Sequence, residues 1–166
     1  MITVAVDDVA FVAADAVVRP ATTTLDPTTP ALRRLEQVGG PTFLDQLRLT
    51  QELAVGAAVV TGGGDLPVEL VIHAIIRSPT EPVSAGGVAL ALRSALQRAM
   101  DWQLARVALP PLGTGAGNLS LEDAADVMVQ VLAEADTAPY PQDVIIVVET
   151  DAEKQVFDSC LRRLPQ

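Results

Sequence analysis

The sequence is poor in the side chains that build disulfides and metal sites. Its 166 residues include one cysteine, Cys160, and one histidine, His73. A lone cysteine cannot close a disulfide within the chain, and one histidine with one cysteine falls short of the ligand set of a zinc site. We therefore expect a cytoplasmic protein that holds neither a metal ion nor a cofactor.

Basic residues are scarce as well. Lysine and arginine together number 11 against 21 aspartates and glutamates, which leaves a formal net charge of -10. Proteins that bind nucleic acids do so largely through lysine and arginine contacts with phosphates, so we expect neither DNA nor RNA as a main partner. An anionic ligand would have to be held by backbone N–H groups and helix ends.

Long apolar runs are missing too. No run approaches the roughly 18 residues of a membrane-spanning helix, and the carboxylates of Asp7 and Asp8 come before a signal-peptide core could form. We expect neither a membrane span nor export. Hydrophobic residues nevertheless make up 49% of the chain, enough for a proper core, and the length suits a single domain over residues 1–166.

The apolar segments that are present are short and rich in valine and isoleucine, and they alternate with segments of helical spacing. Apolar runs such as residues 144–148 are typical of strands covered by helices on both faces. The linker between residues 61 and 69 is too short for a helical crossover, which indicates an antiparallel pair. We predict a three-layer α/β/α sandwich with a mixed, mostly parallel sheet of about six strands. The predicted strands are 2–6, 15–19, 57–61, 69–76, 106–109 and 143–148.

Capping residues and helical periodicity mark the helices. Thr29-Pro30 offers an N-cap followed by proline at the first helical position, and Gly39-Gly40 ends that segment. The predicted helices are 30–38, 85–101, 121–135 and 151–164. Residues 20–28 and 78–84, where prolines and threonines replace apolar periodicity, are expected to be the least ordered parts.

One strand runs into a glycine-rich loop and then into a capped helix. The loop contains Gly113, Gly115 and Gly117, whose backbones can turn several N–H groups toward one anion while the following helix adds its positive end. It lacks the third glycine of the dinucleotide fingerprint and the lysine of a P-loop. By itself the loop is either a phosphate cradle or a structural turn.

Several further motifs follow one another in a set order. Asp8-Val9 is followed by an Asp-Ala-Val-Val segment at residues 15–18. The later motifs are Gly-Ala-Ala-Val-Val-Thr at 56–61, Asp-Leu-Pro at 65–67, Val-Ile-His at 71–73, Pro-Leu-Gly-Thr-Gly-Ala-Gly at 111–117 and Leu-Glu-Asp-Ala-Ala at 121–125. Together these segments resemble the macrodomain family of ADP-ribose-binding modules, and the resemblance covers nearly the whole chain.

The resemblance implies a ligand and a set of residues that contact it. The Asp8 carboxylate, which only accepts hydrogen bonds, would bind the adenine amino group, with the Val9 backbone alongside. The loop from Gly113 to Leu119 would wrap the diphosphate and the distal ribose. The implied ligand-binding residues are Asp8, Val9, Gly113, Thr114, Gly115, Ala116, Gly117, Asn118 and Leu119. Implied partners are ADP-ribose or a similar adenine nucleotide and an ADP-ribosylated protein.

The chain departs from the family pattern at the first ligand loop. The family has Asn-Ala-Ala-Asn followed by glycines, whereas residues 19–27 read Arg-Pro-Ala-Thr-Thr-Thr-Leu-Asp-Pro. Thr22 stands in the place of the second asparagine, and its hydroxyl cannot donate and accept at two separated atoms as an amide does. Glu149 stands where many members place an aromatic ring against adenine.

Three functions stay open on this evidence. The leading hypothesis is a module that binds ADP-ribose or a related nucleotide diphosphate, with weak or no hydrolase activity. An alternative is a hydrolase of ADP-ribosyl or O-acetyl-ADP-ribose substrates, with Thr22 and Asp26 as its catalytic candidates. A further alternative is a structural or oligomerisation module with a non-functional pocket. The sequence does not define an oligomeric state.

Three conspicuous side chains have structural interpretations. His73 lies inside an apolar run and is predicted to be a buried, hydrogen-bonded core histidine rather than a general base. Cys160 repeats with its apolar neighbours at helical spacing and is predicted to belong to the core. Trp102, at a helix end, is predicted to anchor packing rather than to stack on a base.

Overall fold

The computed structural model describes residues 1–48, 51–115 and 118–165. Within these ranges six strands and four helices follow one another along the chain. The strands are β1 Ile2–Val6, β2 Ala16–Thr22, β3 Ala58–Gly62, β4 Leu70–Arg77, β5 Arg106–Leu109 and β6 Asp143–Val148. The helices are α1 Pro30–Gln46, α2 Ala85–Asp101, α3 Leu121–Ala135 and α4 Asp151–Arg162. No helix in the described ranges is both long and apolar enough to cross a membrane.

The strands form one sheet in the order β1-β6-β5-β2-β4-β3. Every neighbouring pair in the described sheet is parallel except β3 and β4, which pair antiparallel. This confirms the predicted mixed, mostly parallel sheet of six strands and the antiparallel pair flanking the short linker. The five parallel strands therefore end at one common edge of the sheet.

Helices cover both faces of the sheet, as the apolar strands predicted. Val17 packs on the face that α1 covers, in a cluster with Leu35 and Phe43. The next residue, Val18, packs on the opposite face in a cluster that includes Met128 of α3 and Phe157 of α4. Because successive strand residues point to opposite faces, one apolar strand contributes to both cores. The result is the predicted three-layer α/β/α sandwich.

Helix α1 is longer than predicted because it continues past the glycine pair. The prediction ended it at residue 38, and the chain does leave helical geometry at Gly40, which has φ 76° and ψ -172°. Pro41 then begins a second helical segment, since the fixed φ of proline suits a first helical position. The glycine pair therefore makes a kink within α1 rather than its end.

The segment 20–28 contains the end of strand β2, which the prediction had ended at residue 19, and then a turn. Strand β2 extends to Thr22, and Pro20 is tolerated in it because the pairing of β2 with β5 involves only Ala16 and Val17. After the strand, the N–H of Leu25 donates to the carbonyl oxygen of Thr22 at 2.9 Å. The Leu25 side chain is buried and holds the turn against the core.

A buried arginine connects this turn to the helix and the sheet. Arg19, on β2, is fully buried, and its guanidinium pairs with the carboxylate of Glu36 on α1. It also donates to the carbonyl oxygen of Leu25 at 2.8 Å and lies 3.1 Å from Nδ1 of His73 on β4. Burial lowers the pKa of Arg19 below its ordinary value, and Glu36 opposes that shift. The pair fixes α1 relative to the sheet.

Replacing Glu36 with glutamine should destabilise the fold. Glu36→Gln is expected to lower the free energy of unfolding by about 3 kcal/mol, because it leaves the Arg19 charge buried without its carboxylate. Urea denaturation measures the change. The control is Glu134→Gln. The Glu134 carboxylate lies 3.4 Å from the Arg93 guanidinium, and both side chains are more than half exposed. This variant should therefore lose less than about 1 kcal/mol of unfolding free energy. Equal losses in the two variants would contradict this role of Glu36.

Candidate functional site

A cavity of about 220 Å³ opens where the parallel strands end. It is lined by Asp7 and Val9 after β1, by Thr114 after β5 and by Glu149 after β6. The first turns of α1 close the remaining side. The carboxyl edge of a parallel sheet is where ligands of open α/β folds bind. Small-molecule sites usually measure about 300–1,000 Å³, so this cavity is large enough for one part of a large ligand but not for the whole of it.

The glycine loop turns back on itself beside the cavity. Gly113 and Gly115 have φ values of 85° and 121°, which a side chain rarely adopts. The N–H of Leu119 donates to the carbonyl oxygen of Gly113 at 3.0 Å, and the N–H of Asn118 donates to that of Gly115 at 3.1 Å. Ala116 and Gly117, also predicted to bind ligand, lie outside the described residues. The described part of the loop is a tight turn, as its glycines predicted.

The beginning of α1 faces this loop. A β-carbon added to Gly115 would lie 3.7 Å from the carbonyl oxygen of Thr28 and 3.9 Å from Cγ2 of Thr29. Thr29 is the N-cap of α1, its side chain makes no capping hydrogen bond, and the first turn of the helix carries no acidic residue. Thr29 and Ala31 both line the cavity. The positive end of a helix dipole is thus presented to the space beside the loop.

The charged side chains of Asp7, Arg34 and Glu149 also line the cavity. Asp8, the predicted adenine contact, is not among the described lining residues, but it is bonded to Arg34. One oxygen of Asp8, Oδ1, accepts the backbone N–H of Ala10 at 3.0 Å. The other, Oδ2, accepts from Nε of Arg34 at 3.0 Å, and Nη2 of Arg34 donates to Oε1 of Glu149 at 3.3 Å. The hydrogen bond with Asp8 raises the pKa of Arg34 above its ordinary value. The guanidinium therefore bridges two carboxylates at the wall of the cavity.

Comparison with known proteins identifies the family. A family model described as Macro domain matches residues 18–128. The chain belongs to the Macro domain family. A macro domain-containing protein of Streptomyces coelicolor is 32% identical over 145 aligned residues, covering 82% of this chain and 85% of that relative. An uncharacterised protein of Mycobacterium bovis is 28% identical over 155 residues, which cover 93% of this chain.

The chain spans 43% of the length of that mycobacterial relative. Among solved structures, the Oceanobacillus iheyensis macrodomain with ADP has a TM-score of 0.82 at 20% identity, covering 96% of this chain and 88% of the other. This likeness establishes the macro domain fold. A mutant of the same Oceanobacillus protein is described as a structure with ADPR.

The structure separates the two catalytic candidates of this macro domain from the cavity. Oγ1 of Thr22 accepts the N–H of Asp26 at 3.1 Å, and the Asp26 carboxylate accepts the Thr24 hydroxyl at 2.6 Å. Asp26 lines a different surface cavity, together with Arg33 and Glu36. Neither candidate is among the described residues that line the cavity beside Val9. The candidates are part of the compact turn that follows β2.

The predicted ligand-binding residues did not include three residues that line the cavity, namely Thr29, Ala31 and Arg34. Thr29 had a signal, because the Thr-Pro pair predicted a helix start and helix starts bind anions. Arg34 lies one turn after Ala31, so helical spacing alone would place both on one side of α1. The sequence offered no sign that this side of the helix faces the carboxyl ends of the strands.

His73 is the core histidine that the sequence predicted. It is fully buried, and its ring stacks on Phe43 with centroids 6.0 Å apart. Burial, and then the charge of Arg19, lower the pKa of His73 to about 3. The ring is therefore neutral, so Nδ1 accepts from Arg19 and Nε2 donates to Oγ1 of Thr61 at 2.8 Å. Both nitrogens are engaged, and the ring is not a general base.

Of the two remaining packing predictions, the one for Cys160 is confirmed and the one for Trp102 is wrong. Cys160 is 5% exposed and packs in the core, as predicted, and burial raises the pKa of its thiol. Trp102 is 56% exposed, so its prediction as a packing anchor was wrong. The reason is its position as the C-cap of α2, beyond the last buried residue of that helix, Ala99.

The buried His73 should make stability depend on pH. Its pKa is about 3 in the folded protein and 6.5 in the unfolded chain. The unfolded chain therefore binds more protons between these values, and stability falls as pH drops through that window. Between pH 7 and pH 5, His73 should lower the free energy of unfolding by about 2 kcal/mol. Urea denaturation of the wild type and of His73→Gln at both pH values measures it. A variant with the same pH dependence as the wild type would contradict the assignment.

Proposed function

We propose that the chain binds ADP-ribose, or a related adenine nucleotide diphosphate, at the cavity beside Val9 and has weak or no hydrolase activity. The observation that carries the proposal is the position of this cavity, between the glycine loop and the start of α1 at the carboxyl edge of the sheet. The ADP and ADPR named for the Oceanobacillus macrodomain support this class of ligand.

The groups around the cavity suit two parts of such a ligand. Asp8 accepts hydrogen bonds only, which suits a base that carries an amino group, and it lies beside the cavity, next to the lining residue Val9. Within the loop 113–119, the N–H groups of Asn118 and Leu119 donate to carbonyl oxygens of the loop. We therefore assign diphosphate binding to the backbone N–H groups of Thr114 and Gly115 and to the positive end of α1. These groups bind an anion without lysines, as a chain with a net charge of -10 requires.

The altered first loop supports weak or absent hydrolysis. The Thr22 hydroxyl accepts the backbone N–H groups of Thr24 and Asp26, and one oxygen of the Asp26 carboxylate accepts from the Thr24 hydroxyl. Neither side chain is among the described residues that line the cavity. They are therefore poor candidates for activating a water there, because a general base must reach the proton it removes. An enzyme assay on ADP-ribosylated protein should therefore show little or no turnover beyond the blank.

The biological setting is part of the same proposal. Residues 1–166 would act as one macro domain in the cytoplasm, where the single thiol of Cys160 stays reduced. A partner that carries ADP-ribose on its surface would present that group to the cavity from outside. The cavity is suited to such a partner, since it opens at the edge of the sheet.

A thermal-shift titration tests the binding. ADP-ribose at a hundredfold over its dissociation constant should stabilise the protein by about 2.7 kcal/mol, a rise in melting temperature of about 5 to 10 °C for this length. AMP, ribose 5-phosphate and inorganic phosphate serve as controls and should give smaller shifts. The absence of any shift at millimolar ADP-ribose would reject the proposal and favour a structural module.

A glycine substitution tests the diphosphate end of the site. Gly115→Ala is expected to weaken ADP-ribose binding at least about tenfold, because φ of 121° disfavours a side chain and the new methyl group points toward the start of α1. Isothermal titration calorimetry measures the affinity. Gly86→Ala is the control, since nothing lies within 4 Å of its added carbon, and it should bind like the wild type. Unchanged affinity in Gly115→Ala would place the diphosphate elsewhere.

A further inference from the structure

We propose that Arg34 is a positioning residue that makes the site selective for adenine. By fixing the carboxylate of Asp8, it would favour a base with an amino group over a base that carries a carbonyl oxygen at the same place. The inference rests on the proposed function, because it concerns how the base end of that site recognises its ligand.

The Asp8 carboxylate is held at both of its oxygens by donors from different parts of the chain. Oδ1 accepts from the backbone of Ala10, two residues on, and Oδ2 accepts from Arg34 on α1, each at 3.0 Å. The N–H of Phe11 donates to the Asp8 carbonyl oxygen at 3.0 Å, which closes the turn that carries the aspartate. Two donors on two oxygens prevent rotation of the carboxylate.

Arg34 can serve as a fixed point because it is itself held from two directions. Its Nη2 donates to Glu149, which follows β6, while its Nε donates to Asp8, which follows β1. Its helix is fixed to the sheet by the buried pair of Arg19 and Glu36, and Glu36 lies two residues along from Arg34. The planar guanidinium fork keeps this geometry better than a flexible ammonium group would.

A fixed carboxylate discriminates between bases where a mobile one does not. Its remaining lone pairs can accept an amino group, but they repel a carbonyl oxygen, which is also an acceptor. A carboxylate free to rotate can turn away from that oxygen and admit the wrong base. The Asp8–Arg34 pair is partly exposed, with 34% and 43% of the two side chains accessible, so it adds little to stability. We expect its effect in selectivity instead.

The test compares ADP with inosine diphosphate (IDP), whose base carries a carbonyl oxygen in place of the adenine amino group. The dissociation constants of both nucleotides are measured by calorimetry for the wild type and for Arg34→Ala. Sites built to hydrogen-bond one group reject its replacement strongly, so the wild type should prefer ADP by about a hundredfold or more. In Arg34→Ala the ratio of the IDP dissociation constant to the ADP dissociation constant should fall by about tenfold or more. Arg34→Lys should retain part of the wild-type ratio.

The neighbouring arginine provides a matched control. Arg33 is also exposed on α1, but it lines the separate cavity with Asp26. Arg33→Ala removes the same charge from the same helix and should keep the wild-type ratio. A melting temperature close to that of the wild type confirms that each variant is folded.

The outcomes separate the two proposals. Binding of neither nucleotide by the wild type would overturn the proposed function, and this inference with it. An unchanged ratio in Arg34→Ala, with ADP still bound by the wild type, would overturn the inference alone. An equal loss in Arg33→Ala would also overturn it, because the effect would then come from net charge rather than from the position of Asp8.

Discussion

The ion pair between the buried Arg19 and the partly buried Glu36 is the interaction on which the geometry of the candidate site depends. It connects the middle strand β2 to α1, the helix whose first turns carry Thr29 and Arg34 into the cavity wall. Such a pair adds little net stability, because both charges lose water when they are buried. Among the described residues, Nε of Arg19 has no hydrogen-bond partner. The pair is better understood as a constraint on where α1 sits.

The same arginine also holds the turn that follows β2. Its guanidinium binds the carbonyl oxygen of Leu25 and so holds the turn after β2 against the core. In the second loop, a β-carbon added to Gly115 would instead meet Asn118 and the start of α1. The two loops are therefore attached to different parts of the described structure.

The sequence predicted the fold well and the site in part. Strands such as β6 and the helix start at Thr29-Pro30 depend on local patterns that tertiary structure did not override. The conformation of the turn after β2 could not be predicted, because it depends on contacts of Leu25 and Arg19 with residues distant in sequence. Arg34 could not be predicted as a cavity residue either. An exposed arginine on an amphipathic helix has the same pattern whether it faces solvent or a ligand.

The acidic side chains around the cavity have a consequence for the rate of binding. Asp7, Glu149 and Glu153 all border the opening of a chain whose net charge is -10. An anionic diphosphate that approaches it meets a repulsive field, which slows the encounter. Dissolved salt screens such a field beyond about 8 Å at physiological strength. An anion of the proposed diphosphate class would therefore associate faster in saline than in dilute buffer, which is the reverse of the behaviour of a protein that binds DNA.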